Sequence, residues 1–122
     1  MDHLLREECF EKLLVWREGG SMAIELYKML DGCKDFGLRN QMQRSAVSIP
    51  SNIAEGYDRG SNKEFIRFLR IARGSCAELR TQCYIAKNAS VLDFEDATQL
   101  IEKTRSISRK ISRLIRARKA FN

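Results

Sequence analysis

Phe65-Ile66-Arg67-Phe68-Leu69-Arg70-Ile71-Ala72-Arg73-Gly74-Ser75-Cys76-Ala77-Glu78-Leu79-Arg80-Thr81-Gln82-Cys83-Tyr84-Ile85-Ala86 is the stretch that decides the fold of this chain. Phe65, Leu69, Ala72, Cys76, Leu79, Cys83 and Ala86 step along it by four and three residues without interruption, which is a heptad seam on an α-helix. Phe68, Ile71 and Ser75 widen the seam into a second flank, so this helix is expected to touch more than one neighbour in a bundle. Ser61, followed three residues later by Glu64, forms a Ser-x-x-Glu capping box and sets the start of the helix near Asn62.

Outward from this helix, the only strong period is again helical. A first helix is expected over 10–30, with Trp16, Gly20, Ala23, Tyr27 and Leu30 along its inward stripe and a close helix approach at Gly19-Gly20. A second spans about 37–55, with Leu38, Met42, Ser45, Ile49 and Ile53 inward and Gly56 as its C-terminal stop. Pro50 removes a backbone donor inside it, so a kink or break is expected near Ser48 to Pro50, with Ser45 or Ser48 taking up freed backbone groups. Asp93 caps a fourth helix that runs to about Arg116. The expectation is one all-α domain over 1–122, an antiparallel up-down four-helix bundle.

Composition narrows the function. The 122 residues are 43% hydrophobic and 31% charged, with a net charge of +6. That charge is concentrated at one end: residues 103–122 hold Lys103, Arg105, Arg109, Lys110, Arg113, Arg116, Arg118 and Lys119 with no acid, leaving the rest slightly negative. The first twenty residues are rich in Asp, Glu, Lys and Arg, which points to the cytosol rather than to export or a membrane span. His3 is the only histidine, and Cys9, Cys33, Cys76 and Cys83 make no CxxC pair, so neither histidine-based catalysis nor a structural metal is expected. The cysteines read as reduced core residues. No P-loop, GxGxxG, HExxH or GxSxG motif is present, and no cofactor is expected. Glu55 and Glu78 need only an arginine partner, with Arg44 and Arg73 the candidates, and Ser75 reads as a small residue at a helix contact rather than a nucleophile.

On a helical wheel, Leu100, Ile101, Ile107, Ile111, Leu114 and Ile115 occupy one arc of the fourth helix, while Arg105, Arg109, Arg113 and Arg116 gather on the opposite side in a stripe without a carboxylate. Like charges at these spacings repel by a few tenths of a kcal/mol per pair, a cost that phosphate groups would relieve. Together with Lys110, Arg118 and Lys119, these residues form the candidate nucleic-acid surface. The competing reading is a scaffold whose basic face meets solvent or a protein. An anionic membrane surface fits less well, because the apolar face is already committed to the bundle.

Gly37-Leu38-Arg39-Asn40-Gln41 and Arg44-Ser45-Ala46-Val47-Ser48-Ile49-Pro50-Ser51-Asn52-Ile53-Ala54-Glu55-Gly56, followed by Arg59, Ser61, Glu64-Phe65, Phe68-Leu69, Ala72, Gly74-Ser75 and Glu78-Leu79, closely resemble the bacterial four-helix-bundle family encoded in intervening sequences of 23S rRNA genes. The resemblance covers most of the chain. Ser45 stands where the family usually has alanine. The same family includes the accessory variability determinants of diversity-generating retroelements. The resemblance implies a homopentamer that binds nucleic acid and a reverse transcriptase, with Arg44, Ser48, Asn52, Glu55, Ser75 and Glu78 specifying the bundle rather than catalysing a reaction.

Overall fold

The computed structural model describes residues 10–121, so the readings made of His3 and Cys9 fall outside it. A single 3-10 turn, Phe10–Lys12, leads into four α-helices: α1 Leu14–Met29, α2 Phe36–Asp58, α3 Asn62–Asn88 and α4 Phe94–Lys119. No strand occurs among the described residues, and the architecture is an all-α four-helix bundle.

The seam on α3 organises the core. All seven of its residues are buried, as are Phe68 and Ser75 on its flank, whereas Ile71 is 41% exposed. Ser61 Oγ accepts the backbone N–H of Glu64 at 3.1 Å, as the capping sequence predicts. The Glu64 carboxylate instead accepts from Arg67 at 3.1 and 3.2 Å. This hydrogen bond is the first cause of a Glu64 carboxyl held below its usual range, with desolvation opposing it.

The inward stripe of α1 differs from the expectation by about one residue. Val15, Gly19, Met22, Ala23, Leu26 and Leu30 are buried, while Tyr27 is 48% exposed. The reason lies in α2. A Cβ on Gly19 would meet Ile49 Cγ2 at 3.2 Å and Pro50 Cδ at 3.4 Å, whereas one on Gly20 would meet nothing. The close approach foreseen at the glycine pair therefore occurs at Gly19, which leaves Trp16 half-buried against the edge of the core, as expected of an inward residue, and Gly20 half-buried, and turns Tyr27 outward.

In α2 the predicted inward residues Met42, Ser45, Ile49 and Ile53 are buried, and Leu38 packs against their edge. The helix continues unbroken through Pro50. Ser48 turns its hydroxyl to Ser75 at 2.9 Å, and Asn52 Nδ2 donates to both the Ser48 carbonyl and the Ser48 hydroxyl. Gly56 does not end α2. It lies buried inside the helix, where an added Cβ would sit 2.4 Å from Phe68 Cβ, so its role is close packing against α3. The chain turns at Gly60, whose φ of 87° is a left-handed conformation suited to glycine.

Cross-helix contacts identify the neighbours. α2 meets α3 through Ser48 with Ser75, and Gly56 with Phe68. α3 meets α4 through Tyr84 with Arg105, Arg73 with Ser112, and Asn62 with the Arg118 carbonyl. α1 meets α4 through ion pairs of Glu18 with Lys110 and Glu25 with Lys103. In each set, residue number rises along one helix as it falls along the other. The α1/α4 contact is the smallest of these, and a cavity of about 450 Å³ lies along it, lined by Leu14, Met22 and Ile107 among others.

Candidate nucleic-acid interface

Residues 103–119 become a presented surface because both ends of α4 are well specified. The Asp93 carboxylate caps its start by accepting from the backbone N–H groups of Glu95 and Asp96 at 3.1 and 3.4 Å. Acids in the first turn and Arg116, Arg118 and Lys119 in the last complement the helix dipole. Ala97, Leu100, Ile101, Thr104, Ile107, Ile111 and Ile115 are buried, and Leu114 is half-buried against the core, so the apolar arc read from the sequence faces inward.

The predicted binding residues then separate by environment. Arg109, Arg113 and Arg116 are exposed and make no ion pair among the described residues. They surround Ser108 and Ser112 in an open recess of about 220 Å³ with no acid in its lining. Arg105 lies in the same stripe but is engaged: Nη1 contacts Glu102 Oε2 at 3.0 Å and Nη2 donates to the Tyr84 hydroxyl at 2.8 Å. The stripe is thus not free of carboxylates at its N-terminal end, since a longer side chain from one turn earlier reaches into it. Lys110 turns away toward α1, where Nζ sits 2.9 and 3.0 Å from the two oxygens of Glu18. Arg118 stacks 4.9 Å from the Phe65 ring centroid, and its carbonyl accepts from Asn62 Nδ2. Lys119 is exposed at the end of the helix.

Sequence reasoning missed one member of this surface. Arg73 of α3 donates from Nη1 to Ser112 Oγ at 3.1 Å, at the edge of the recess. The available signal was the period of Arg70, Arg73 and Arg80 on α3, which acquires meaning only once α3 is known to lie beside α4.

Elsewhere, the expected pairing of Glu55 with Arg44 or Arg73 does not form. Glu55 contacts Arg59 at 2.7 Å, because one helical turn is a shorter reach than another helix. Glu78 is exposed. Ser75 is occupied by Ser48. Burial pushes the Cys76 and Cys83 thiols up to about 12, with Arg80 slightly opposing the shift at Cys76. Among the described residues no three His, Cys, Asp or Glu side chains gather to hold a metal, and no helix is long and apolar enough to cross a membrane.

Residues 11–113 match the 23S rRNA-intervening sequence protein family. The chain belongs to that family. The resemblance read from 37–79 therefore extends over nearly all of the bundle. A solved structure with the same fold is a protein of unknown function from the S23 ribosomal protein family of Bacteroides thetaiotaomicron, with 21% identity, a TM-score of 0.78, and coverage of 84% of this chain and 98% of that one. No curated protein matches this member of the 23S rRNA-intervening sequence protein family.

Proposed function

We propose that this chain is a non-enzymatic, self-associating bundle protein that binds the phosphate backbone of RNA or DNA, without base specificity, through the outer face of α4. The observation that carries the reading is the set Arg109, Arg113 and Arg116, three exposed guanidinium groups without an acidic partner among the described residues, around a recess lined otherwise by serine. Arginine forks suit phosphate oxygens, and an anion along the stripe relieves its self-repulsion. Arg105, Lys110 and Arg118 already have intramolecular partners and contribute less. Membership in a family named for 23S rRNA intervening sequences fits an RNA partner. The resemblance to retroelement accessory proteins makes a pentamer the assembly to look for and a reverse transcriptase the protein partner to test.

Fluorescence anisotropy with labelled RNA and duplex DNA over a salt series tests this reading, with the solution mass measured alongside. An oligomer should bind with a log–log slope of about −3 per protomer if each of the three arginines displaces counterions from a duplex, and the combined Arg109→Gln, Arg113→Gln, Arg116→Gln variant should lose most of that binding. Binding that ignores both salt and this substitution would refute it.

A scaffold reading has one observation in its favour. Ile24 and Tyr27 of α1 and Val47 of α2 are exposed, and helical Gly20 beside them has open space over it. Such a surface suits another protein chain or a second copy. If no nucleic acid binds at low salt, this face becomes the place to search for a partner.

A further inference from the structure

The bond between Arg73 and Ser112, and that between Arg105 and the Tyr84 hydroxyl, show which side of α3 faces α4. Arg70 lies three residues before Arg73, and Arg80 lies seven after it, so both fall on that same side of the helix. The two acids of α3, Glu64 and Glu78, fall about 180 and 140 degrees away around the helix. The seam between the helices is therefore bordered by two rows of arginine, Arg70, Arg73 and Arg80 from α3, and Arg105, Arg109, Arg113 and Arg116 from α4, with Glu102 on Arg105 the one acid reaching into the α4 row among the described residues. Axes of packed helices lie about 8–10 Å apart, so the two rows border one narrow strip of surface over the closed seam, along which a single backbone can lie. From Arg105 to Arg116, α4 rises about 16 Å. Over that length a single B-form strand carries about five phosphates.

Arg73 itself carries a second argument. The residue is half-buried, and among the described residues its one hydrogen bond goes to a neutral hydroxyl. A partly desolvated cation without a counter-charge is costly, and an anion in the adjoining recess would supply the missing charge.

We propose that the α3/α4 seam is a channel for one phosphodiester strand, with a phosphate seated in the recess at Ser112 between the α4 arginines and Arg73. Resting on the function proposed above, this inference adds a second helix to the interface. It makes Arg73 a phosphate-contacting residue although it lies outside the basic C-terminal segment. The Ser112 hydroxyl, which accepts from Arg73, has its own proton available for a phosphate oxygen.

The test uses the full chain and a labelled 12-nucleotide oligouridine, read by anisotropy over a salt series. Arg73→Gln should weaken binding five- to tenfold at moderate salt and reduce the magnitude of the salt slope by about 1, the signature of one lost phosphate contact. Arg44→Gln removes the same charge from the outer face of α2 and should change affinity less than twofold. Ser112→Ala breaks the interhelical bond but keeps the guanidinium, and should stay within threefold of the parent with an unchanged slope. Circular dichroism melts of each variant separate binding loss from unfolding. Equal effects of Arg73→Gln and Arg44→Gln would overturn the channel, even where the triple α4 substitution abolishes binding and so upholds the broader function. A parent protein that binds duplex but no oligouridine would overturn the channel alone, and one that binds neither would overturn both. Inorganic phosphate at matched ionic strength should compete no better than chloride; displacement of the strand by millimolar phosphate would assign the recess to a small phosphorylated ligand instead.

Discussion

Gly56 and Gly74 are both helical glycines, yet their surroundings demand opposite outcomes from one substitution. A Cβ at Gly56 would collide with Phe68, so Gly56→Ala should destabilise the bundle by about 1–3 kcal/mol, the usual cost of overpacking. At Gly74 there is nothing within reach, and Gly74→Ala should stabilise by about 0.5–1 kcal/mol by restricting the unfolded chain and favouring helix. Urea unfolding of the two variants checks both signs. The buried thiols give a pH prediction. Cys76 and Cys83 are raised in the folded state relative to an ordinary thiol, so the unfolded chain loses these protons first as pH rises. Their contribution is complete below the ordinary thiol range near 9 and is lost on approaching 12; thermal melts should fall across that window, and less steeply in a Cys76→Ala, Cys83→Ala protein. Native Cys76 and Cys83 should also resist alkylation at pH 8 and react in urea.

At the level of elements, α4 is a helix whose ends favour it and whose outer face opposes it. Asp93 bonds two N–H groups of the first turn, and Asp93→Ala should cost about 1 kcal/mol in melting experiments. Arg113 lies four residues from Arg109 and three from Arg116 without an acidic partner among the described residues. Arg113→Gln should leave the free protein as stable or slightly more so, by a few tenths of a kcal/mol at low salt, while weakening its binding to nucleic acid. A stability loss as large as that from removing Asp93 would mean that Arg113 holds the fold and not a ligand. The wheel of this one helix was enough to foresee that Arg109, Arg113 and Arg116 are exposed, because the apolar arc opposite them has only one place to go. It gave no hint that Lys110 is turned to Glu18 or that Arg105 shares Tyr84, since those partners belong to α1 and α3.

Across the whole molecule, stability is uneven. α3 shares the larger interfaces with α2 and α4, including the close contact at Gly56 and the Ser48/Ser75 bond, while α1 meets α4 across the smallest contact, bridged by two ion pairs beside the 450 Å³ cavity. Both pairs are partly exposed and individually worth at most about 1 kcal/mol. Native-state hydrogen exchange should therefore find α1 opening before α3, with faster opening at high salt; uniform protection of all four helices would contradict this. By itself, the sequence determined the number of helices, their approximate ends, the buried seam of α3 and the exposed arginines of α4, because each follows from local periodicity and capping within a single element. Only the tertiary structure decided that Gly19 rather than Gly20 meets Pro50, that Gly56 packs rather than terminates, and that Arg73 joins the basic face of α4. Those outcomes depend on the rotation and separation of neighbouring helices, which arise where side chains from distant parts of the chain must interlock at close packing density.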